Sequence, residues 1–391
     1  MADVFVGTDS TITSLGFSTA GLVEQIKANQ TGIRQYPGGD LYPTPVPLSL
    51  VDHRRLQDLF RQYLGETHPG LQAGSFTHLE MLHILSIAEV LKESGVNIAD
   101  PRTLIMLSTT KGNIDLLEKD RYPLIEPDRI YLWKLAELFQ HFFGNPNKPL
   151  VVSNACISGV LVILIASRLI KASLYDHIIV TGGDLVSEFV VSGFQSFRCL
   201  SPAPCKPFDA ARNGLSLGEG CGTLVLSCDH SLCGIPQKII VGGGCCSNDA
   251  HHISGPSRTG EGLYLAIRRA LKEAALDPLD IDYISAHGTA TDYNDEMEAK
   301  AYSWVGLEPV PVNSFKGYFG HTLGAAGIIE SALAIESMRN NELFRSAGFE
   351  SPGTSKNINV LTDHLAIEVN HCLKTASGFG GCNAAIVFKK I

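Results

Sequence analysis

Short runs of aliphatic and β-branched residues alternate along the whole chain with longer stretches at helical spacing, and this alternation restricts the fold more than any other feature. The strand-like runs are Leu104–Leu107, Leu150–Ser153 and His177–Thr181, then Gly222–Leu226, Lys238–Gly242, Tyr283–Ala286, Val310–Asn313 and Ala385–Phe388. Helical patterns lie between them at Phe76–Ser94, Cys156–Ser173, Glu261–Ala275 and His321–Arg339. Apolar strands interleaved with helices predict an α/β protein with mostly buried sheets. The two halves look alike in outline. Near residue 150 a buried strand runs into a reactive-looking residue that opens a helix, and near residue 315 the same happens again. An internal duplication is expected, residues 1–233 and 234–391, with the boundary near Cys233–Pro236. The segment Pro37–Gly74 is polar and loop-rich and reads as surface.

Of the 391 residues 45% are hydrophobic, enough to fill a large core. A net charge of −9 without a basic run disfavours nucleic acid. The first residues lack the basic segment and apolar core of a signal peptide. The stretch Val160–Ala166 ends at Ser167-Arg168, short of the roughly 20 residues that cross a bilayer. A cytoplasmic protein with no membrane partner is expected. No two of the ten cysteines stand in C-x-x-C spacing, so nine of them read as small core residues.

The tenth is Cys156. In Ser153-Asn154-Ala155-Cys156-Ile157-Ser158-Gly159 an apolar strand ends and a helix begins at the thiol. Unsatisfied N–H groups and the helix dipole favour thiolate there, so a lowered pKa is expected. Two more segments share the design. His287-Gly288-Thr289-Ala290-Thr291 follows a strand end, and Lys316-Gly317-Tyr318-Phe319-Gly320-His321 surrounds a glycine-rich turn into a helix. A thiol with two imidazoles suits a reaction in which negative charge builds on a carbonyl oxygen, each donor being worth roughly 3–4 kcal/mol. These residues share no metal-site spacing, so no metal is expected. Ser377-Gly378-Phe379-Gly380-Gly381-Cys382-Asn383 reads as a tight turn whose backbone N–H groups can serve an oxyanion hole. Phe208-Asp209-Ala210-Ala211-Arg212-Asn213-Gly214 lacks the Gly-Lys-Ser/Thr ending of a phosphate loop, and nucleotide binding is rejected.

Taken together, Asn154-Ala-Cys156-Ile-Ser-Gly, Pro207-Phe-Asp209-Ala-Ala-Arg-Asn-Gly with Gly218-Glu-Gly, His287-Gly-Thr-Ala-Thr, Lys316-Gly-x-x-Gly-His321 and Gly378-Phe-Gly-Gly resemble a β-ketoacyl-acyl carrier protein synthase of the elongating, Cys-His-His type. The motifs stand in the family's order over nearly the whole chain. The resemblance implies the thiolase-like fold, two duplicated halves in five αβαβα layers. It implies that Cys156 carries an acyl thioester and that His287 and His321 stabilise an enolate formed from malonyl-acyl carrier protein. It further implies that Lys316 positions His321 with Glu298 close behind, and that Asp209 is a supporting residue. Backbone N–H groups of Cys156 and Phe379 would form the oxyanion hole, Phe379 also gating the pocket. Thr289 and Thr291 would bind phosphopantetheine.

The implied partners are acyl carrier protein and a second subunit, a like chain or a related synthase, with no cofactor beyond the carrier's own arm. Arg54, Arg55 and Arg61 are candidates for the basic dock an acidic carrier needs. Ser285 and Thr375 stand where the family often has Asn, so the monovalent cation site of some members is not implied here. The stretch between Gly112 and Cys156 is shorter than usual, as is the loop between Gly193 and Phe208. These departures point to a specialised enzyme, building polyene or other secondary-pathway chains. The competing readings are a coenzyme A-dependent thiolase, with Cys382 as its second cysteine, and a chain-length partner subunit of an active synthase.

Overall fold

The computed structural model describes residues 3–38, 44–118 and 121–391; residues 39–43 of the Pro37–Gly74 segment lie outside the description. Ten strands form one sheet. The first half contributes β1 (Phe5–Thr13), β2 (Thr103–Ser108), β3 (Leu150–Val152), β4 (His177–Asp184) and β5 (Gly220–Ser227). The second half contributes β6 (Ile239–Asn248), β7 (Tyr283–Ser285), β8 (Val312–Asn313), β9 (His371–Gly378) and β10 (Cys382–Lys390). Across the sheet the order is β3-β2-β4-β5-β1-β6-β10-β9-β7-β8. Read outward from the centre, each half runs first, fifth, fourth, second, third strand. The pairing directions also repeat: antiparallel around the fifth strand, parallel among the fourth, second and third. The halves meet where Phe5 of β1 pairs with Ile240 of β6.

Seven helices position the site: α1 (His53–Thr67), α2 (His78–Glu93), α3 (Ser158–Lys171), α4 (Glu188–Ser196), α5 (Glu261–Ala274), α6 (Asp292–Val305) and α7 (Ala326–Asn340). Helices α3 and α7 lie between the two half-sheets, α2 covers the outside of the first, and α5 with α6 covers the outside of the second, giving five layers. Each of α3 and α7 has a sheet or a helix on nearly every side, which is why both are apolar around most of their circumference. They cross at two glycines. A Cβ on Gly159 would stand 2.8 Å from Gly327 Cα, so only hydrogen fits there.

Three expectations need correction. The polar segment Pro37–Gly74 contains α1, whose Leu56, Phe60 and Leu64 recur every four residues and are buried while most of the rest of the helix is polar. The helical pattern from His321 becomes an α-helix only at Ala326, because Leu323 takes a positive φ of 53° in the preceding turn. Strands β1 and β9 carry too many polar residues to read as strands, Thr8-Asp9-Ser10-Thr11 in one and Lys374-Thr375 in the other. Tertiary partners hold Thr8, Asp9, Lys374 and Thr375, so burial overrides the local pattern.

Candidate active site

Strand β3 ends at Val152, and the chain turns through Ala155, whose φ of 45° lies in the left-handed region that disfavours a side chain. The turn is tied by Ser158, whose hydroxyl accepts from the Asn154 N–H and donates to the Ala155 carbonyl. Cys156 thereby faces the cleft one residue before the Ile157 cap of α3. The expected low thiol pKa is not found. Burial pushes the Cys156 thiol up to about 12, against the opposing pull of the Lys316 and Lys111 charges, so the resting group is a neutral thiol.

Its partner comes from the other half. His321 Nε2 stands 3.0 Å from Cys156 Sγ. The backbone of His321 is locked to the first half, its N–H donating to the Ser216 carbonyl and its carbonyl accepting from Gly218. The ring of His287 crosses that of His321 edge to face, with centroids 5.2 Å apart. Burial first, then the positive charge of Lys316, holds both imidazoles well below the ordinary histidine range, so both are neutral at pH 7. Three buried groups therefore converge without a net charge.

The position of Lys316 corrects an expectation. Its ammonium lies 3.3 Å from His287 Nδ1 and 2.5 Å from the His287 carbonyl, and the hydrogen bonds it makes do not include His321. An ammonium can only donate, so Nδ1 accepts and the proton of the neutral ring sits on Nε2. That fixes an N–H donor toward the cleft. The carboxylate beside Lys316 is Glu330 of α7, at 2.6 Å, and not Glu298. Glu298 holds the turn itself, accepting from the N–H groups of His287 and Gly288 and from the hydroxyls of Tyr302 and Thr375. Glu330 was missed because its neighbours from Ala326 to Ile335 are apolar or small, and only its burial marks it.

Phe379 sits in the β9–β10 hairpin, lines the cleft, and packs between Phe194 and Phe197 at 5.4 and 5.0 Å. The hairpin comes so close that a Cβ on Gly378 would stand 2.9 Å from the Cys156 nitrogen. Thr289 and Thr291 line the cleft with hydroxyls 2.9 Å apart. Asp209 is buried outside the cleft lining and pins its loop by accepting from the N–H groups of Ala211, Glu350 and Ser351. Arg54, Arg55 and Arg61 are exposed on α1 and do not line the cleft; Arg55 lies over the Phe17 ring and Arg61 pairs with Asp58. Of the nine other cysteines five are buried, Cys246 is exposed, and Cys199 lines the cleft.

One ligand atom each from Cys156, His287 and His321 falls within 4.8 Å of the others, close enough to raise the question of a metal. The chemistry fits poorly: with Lys316 on Nδ1, the cleft-facing nitrogen of His287 holds a proton and offers no lone pair.

Comparison with known proteins agrees with this geometry. Residues 105–230 match the N-terminal domain of beta-ketoacyl synthases and residues 238–350 match the C-terminal domain. A putative mitochondrial 3-oxoacyl-[acyl-carrier-protein] synthase of Schizosaccharomyces pombe is 31% identical over 353 residues, 82% of each chain. The 3-oxoacyl-[acyl-carrier-protein] synthase 2 of Rhizobium meliloti is 34% identical over 285 residues, 68% of this chain and 66% of that protein. Among solved structures, the ishigamide ketosynthase/chain length factor superposes with a TM-score of 0.87 at 22% identity, covering 100% of this chain and 99% of that one. A ketosynthase in complex with its chain length factor from Xenorhabdus doucetiae gives 0.84 at 24%, covering 100% and 98%. The chain belongs to the beta-ketoacyl synthase family. It is a condensing acyltransferase of the 3-oxoacyl-[acyl-carrier-protein] synthase kind, on the thiolase-like fold.

Proposed function

We propose that Cys156 carries the growing acyl chain and that His287 and His321 form the enolate that extends it. The observation that supports this most directly is the 3.0 Å contact between Cys156 Sγ and His321 Nε2. The neutral imidazole accepts the thiol proton as sulfur attacks the acyl thioester, and the N–H groups of Cys156 and Phe379 receive the charge on oxygen. The carrier's thiol leaves with the proton from His321. Malonyl-acyl carrier protein then enters, with Thr289 and Thr291 along its phosphopantetheine arm. Its carboxylate departs as carbon dioxide, the electron pair of that bond becomes the enolate, and the Nε2–H of His287 donates to the enolate oxygen. The enolate carbon attacks the Cys156 thioester, and the thiolate released returns to its resting form by taking up a proton. The product is a β-ketoacyl chain two carbons longer, and the enzyme uses no cofactor of its own.

A second subunit is part of the proposal. Strand β3 is the outer strand on its side of the sheet, and Leu150 on it is 44% exposed. Such an edge favours pairing with another chain, a second copy or a related synthase subunit. Among the described residues no helix is long and apolar enough to cross a membrane, and we place the enzyme in the cytoplasm. A thiolase is disfavoured because Cys382 does not line the cleft and donates to the Phe379 carbonyl instead.

The test is intact-mass analysis after incubation with a panel of acyl-carrier proteins, followed by malonyl-carrier protein. Acylation at Cys156 and then growth by two carbons is expected, and the panel reports whether polyene-type chains are preferred. Acylation from coenzyme A esters alone would overturn the reading. Reversing Arg54 and Arg55 to Glu should raise the apparent KM for carrier protein, and an unchanged value removes α1 as the dock.

A further inference from the structure

Lys374 is fully buried in β9, and no step of the condensation uses it. Its ammonium donates to Glu330 Oε2 at 2.6 Å and to the carbonyls of Ser285 and Ala286 at 3.3 and 3.2 Å. Those carbonyls end β7 and immediately precede His287. The other Glu330 oxygen takes Lys316, which also holds the His287 carbonyl. Three consecutive carbonyls, 285 to 287, are thus held by two ammonium groups that share one carboxylate. Glu298 meanwhile holds the N–H groups of His287 and Gly288. Glu330 faces both lysines and Glu298 lies on the turn they hold, so each buried ammonium has a carboxylate near it, the condition under which buried charges persist.

We propose that Lys374 is the built-in cation of this active site, a positioning residue whose ammonium takes the place a metal ion could otherwise fill and makes the enzyme independent of alkali cations. Two peptide carbonyls and a carboxylate oxygen are the donors a hard cation prefers. Here they already surround a charged nitrogen. A metal ion added to the cluster would leave one uncompensated positive charge in the interior. Removing the ammonium would instead leave one negative charge facing an oxygen cage. Thr375 reinforces the point, since its hydroxyl is engaged with Glu298 and Tyr302 and not with the cage.

The consequence for catalysis rests on the reading of His287 as the donor to the enolate oxygen; the consequence for cation binding does not. The test therefore has two arms. Wild-type enzyme is dialysed into sodium, potassium or tetramethylammonium chloride at equal ionic strength, and its thermal midpoint and condensation rate are measured. Both are expected to be the same in the three salts; a fall of either in tetramethylammonium overturns the proposal. In the second arm Lys374→Ser is taken through the same salts. Its condensation rate and thermal midpoint should be depressed in tetramethylammonium and should rise in sodium, potassium or ammonium chloride, the rate by tenfold or more. A folded Lys374→Ser that is indifferent to salt overturns the proposal. If that variant does not fold, the wild-type arm decides alone. The midpoint responds to cation occupancy even if the enzyme catalyses some other reaction.

Discussion

After its second strand each half of the molecule makes a turn that a buried carboxylate holds. In the first half Asp184 accepts from the Thr109 hydroxyl and from the N–H groups of Thr110 and Lys111. In the second, Glu298 does the same for His287 and Gly288. After the third strand each half again runs into a helix between the sheets, at Cys156 in one case and through Lys316 and His321 in the other. The scaffold thus offers equivalent strand ends twice and loads them differently. The first turn presents threonines where the second presents a histidine with its own ammonium partner. The cysteine belongs to one half, the two histidines to the other, and the contact at 3.0 Å exists only when both are packed. Duplicating the fold is therefore not the same as duplicating the chemistry.

Cys156→Ala separates the halves most sharply. Condensation should fall by about 10⁴-fold or more, as for loss of a nucleophile, while carbon dioxide release from malonyl-carrier protein continues because the histidines remain. Intact mass and a carbon dioxide assay measure the two, and acyl label found on another residue would break the division.

His287→Ala is the reverse case. Losing one preorganised donor should lower the condensation rate by about 10²–10³-fold, with Cys156 still acylated in a single turnover. If acylation is lost to the same degree, the second half serves the first step as well.

Gly327→Ala probes the crossing of α3 and α7, since its Cβ would stand 2.3 Å from the Val160 nitrogen. Overpacking of this kind costs about 1–3 kcal/mol and should appear as a lower thermal midpoint. A midpoint equal to that of the wild type would show that the two halves are less tightly joined than the structure indicates.

The most gradual effect lies in acid. His287, His321 and His83 are buried and held neutral, with folded pKa values below the unfolded value, His83 at about 3. Groups with depressed pKa values confer stability that is present above the unfolded pKa of about 6.5 and is lost as pH falls, by up to about 1.4 kcal/mol per pH unit for each histidine. Denaturant unfolding between pH 7 and 4 should show this loss. His287→Gln with His321→Gln should flatten the slope more than His83→Gln, and the opposite order would move the acid sensitivity into the first half.

Much of the site was legible because its residues punctuate the chain. Cys156, His287 and His321 stand at strand ends next to glycine, where backbone approaches ligand, and that signal is local. The charge support was not legible. Lys374 sits in a strand too polar to be recognised as one, and Glu330 sits in a stretch of its helix, Ala326–Ile335, whose other residues are apolar or small. Each makes sense only beside the other, 44 residues away. The thiol pKa failed for a related reason, since the helix start that favours thiolate is visible in sequence while the burial that outweighs it is not.

By itself the sequence determined the alternation of strands and helices, the duplicated outline, the family and the candidate reacting groups, because apolar periodicity and turn residues act over a few positions. Only the tertiary structure decided which histidine meets Cys156, which one Lys316 holds, and which carboxylate balances the buried lysines. Those outcomes depend on side chains brought within 3 or 4 Å across two half-sheets, and charge in a dry interior is governed by such neighbours and not by sequence distance.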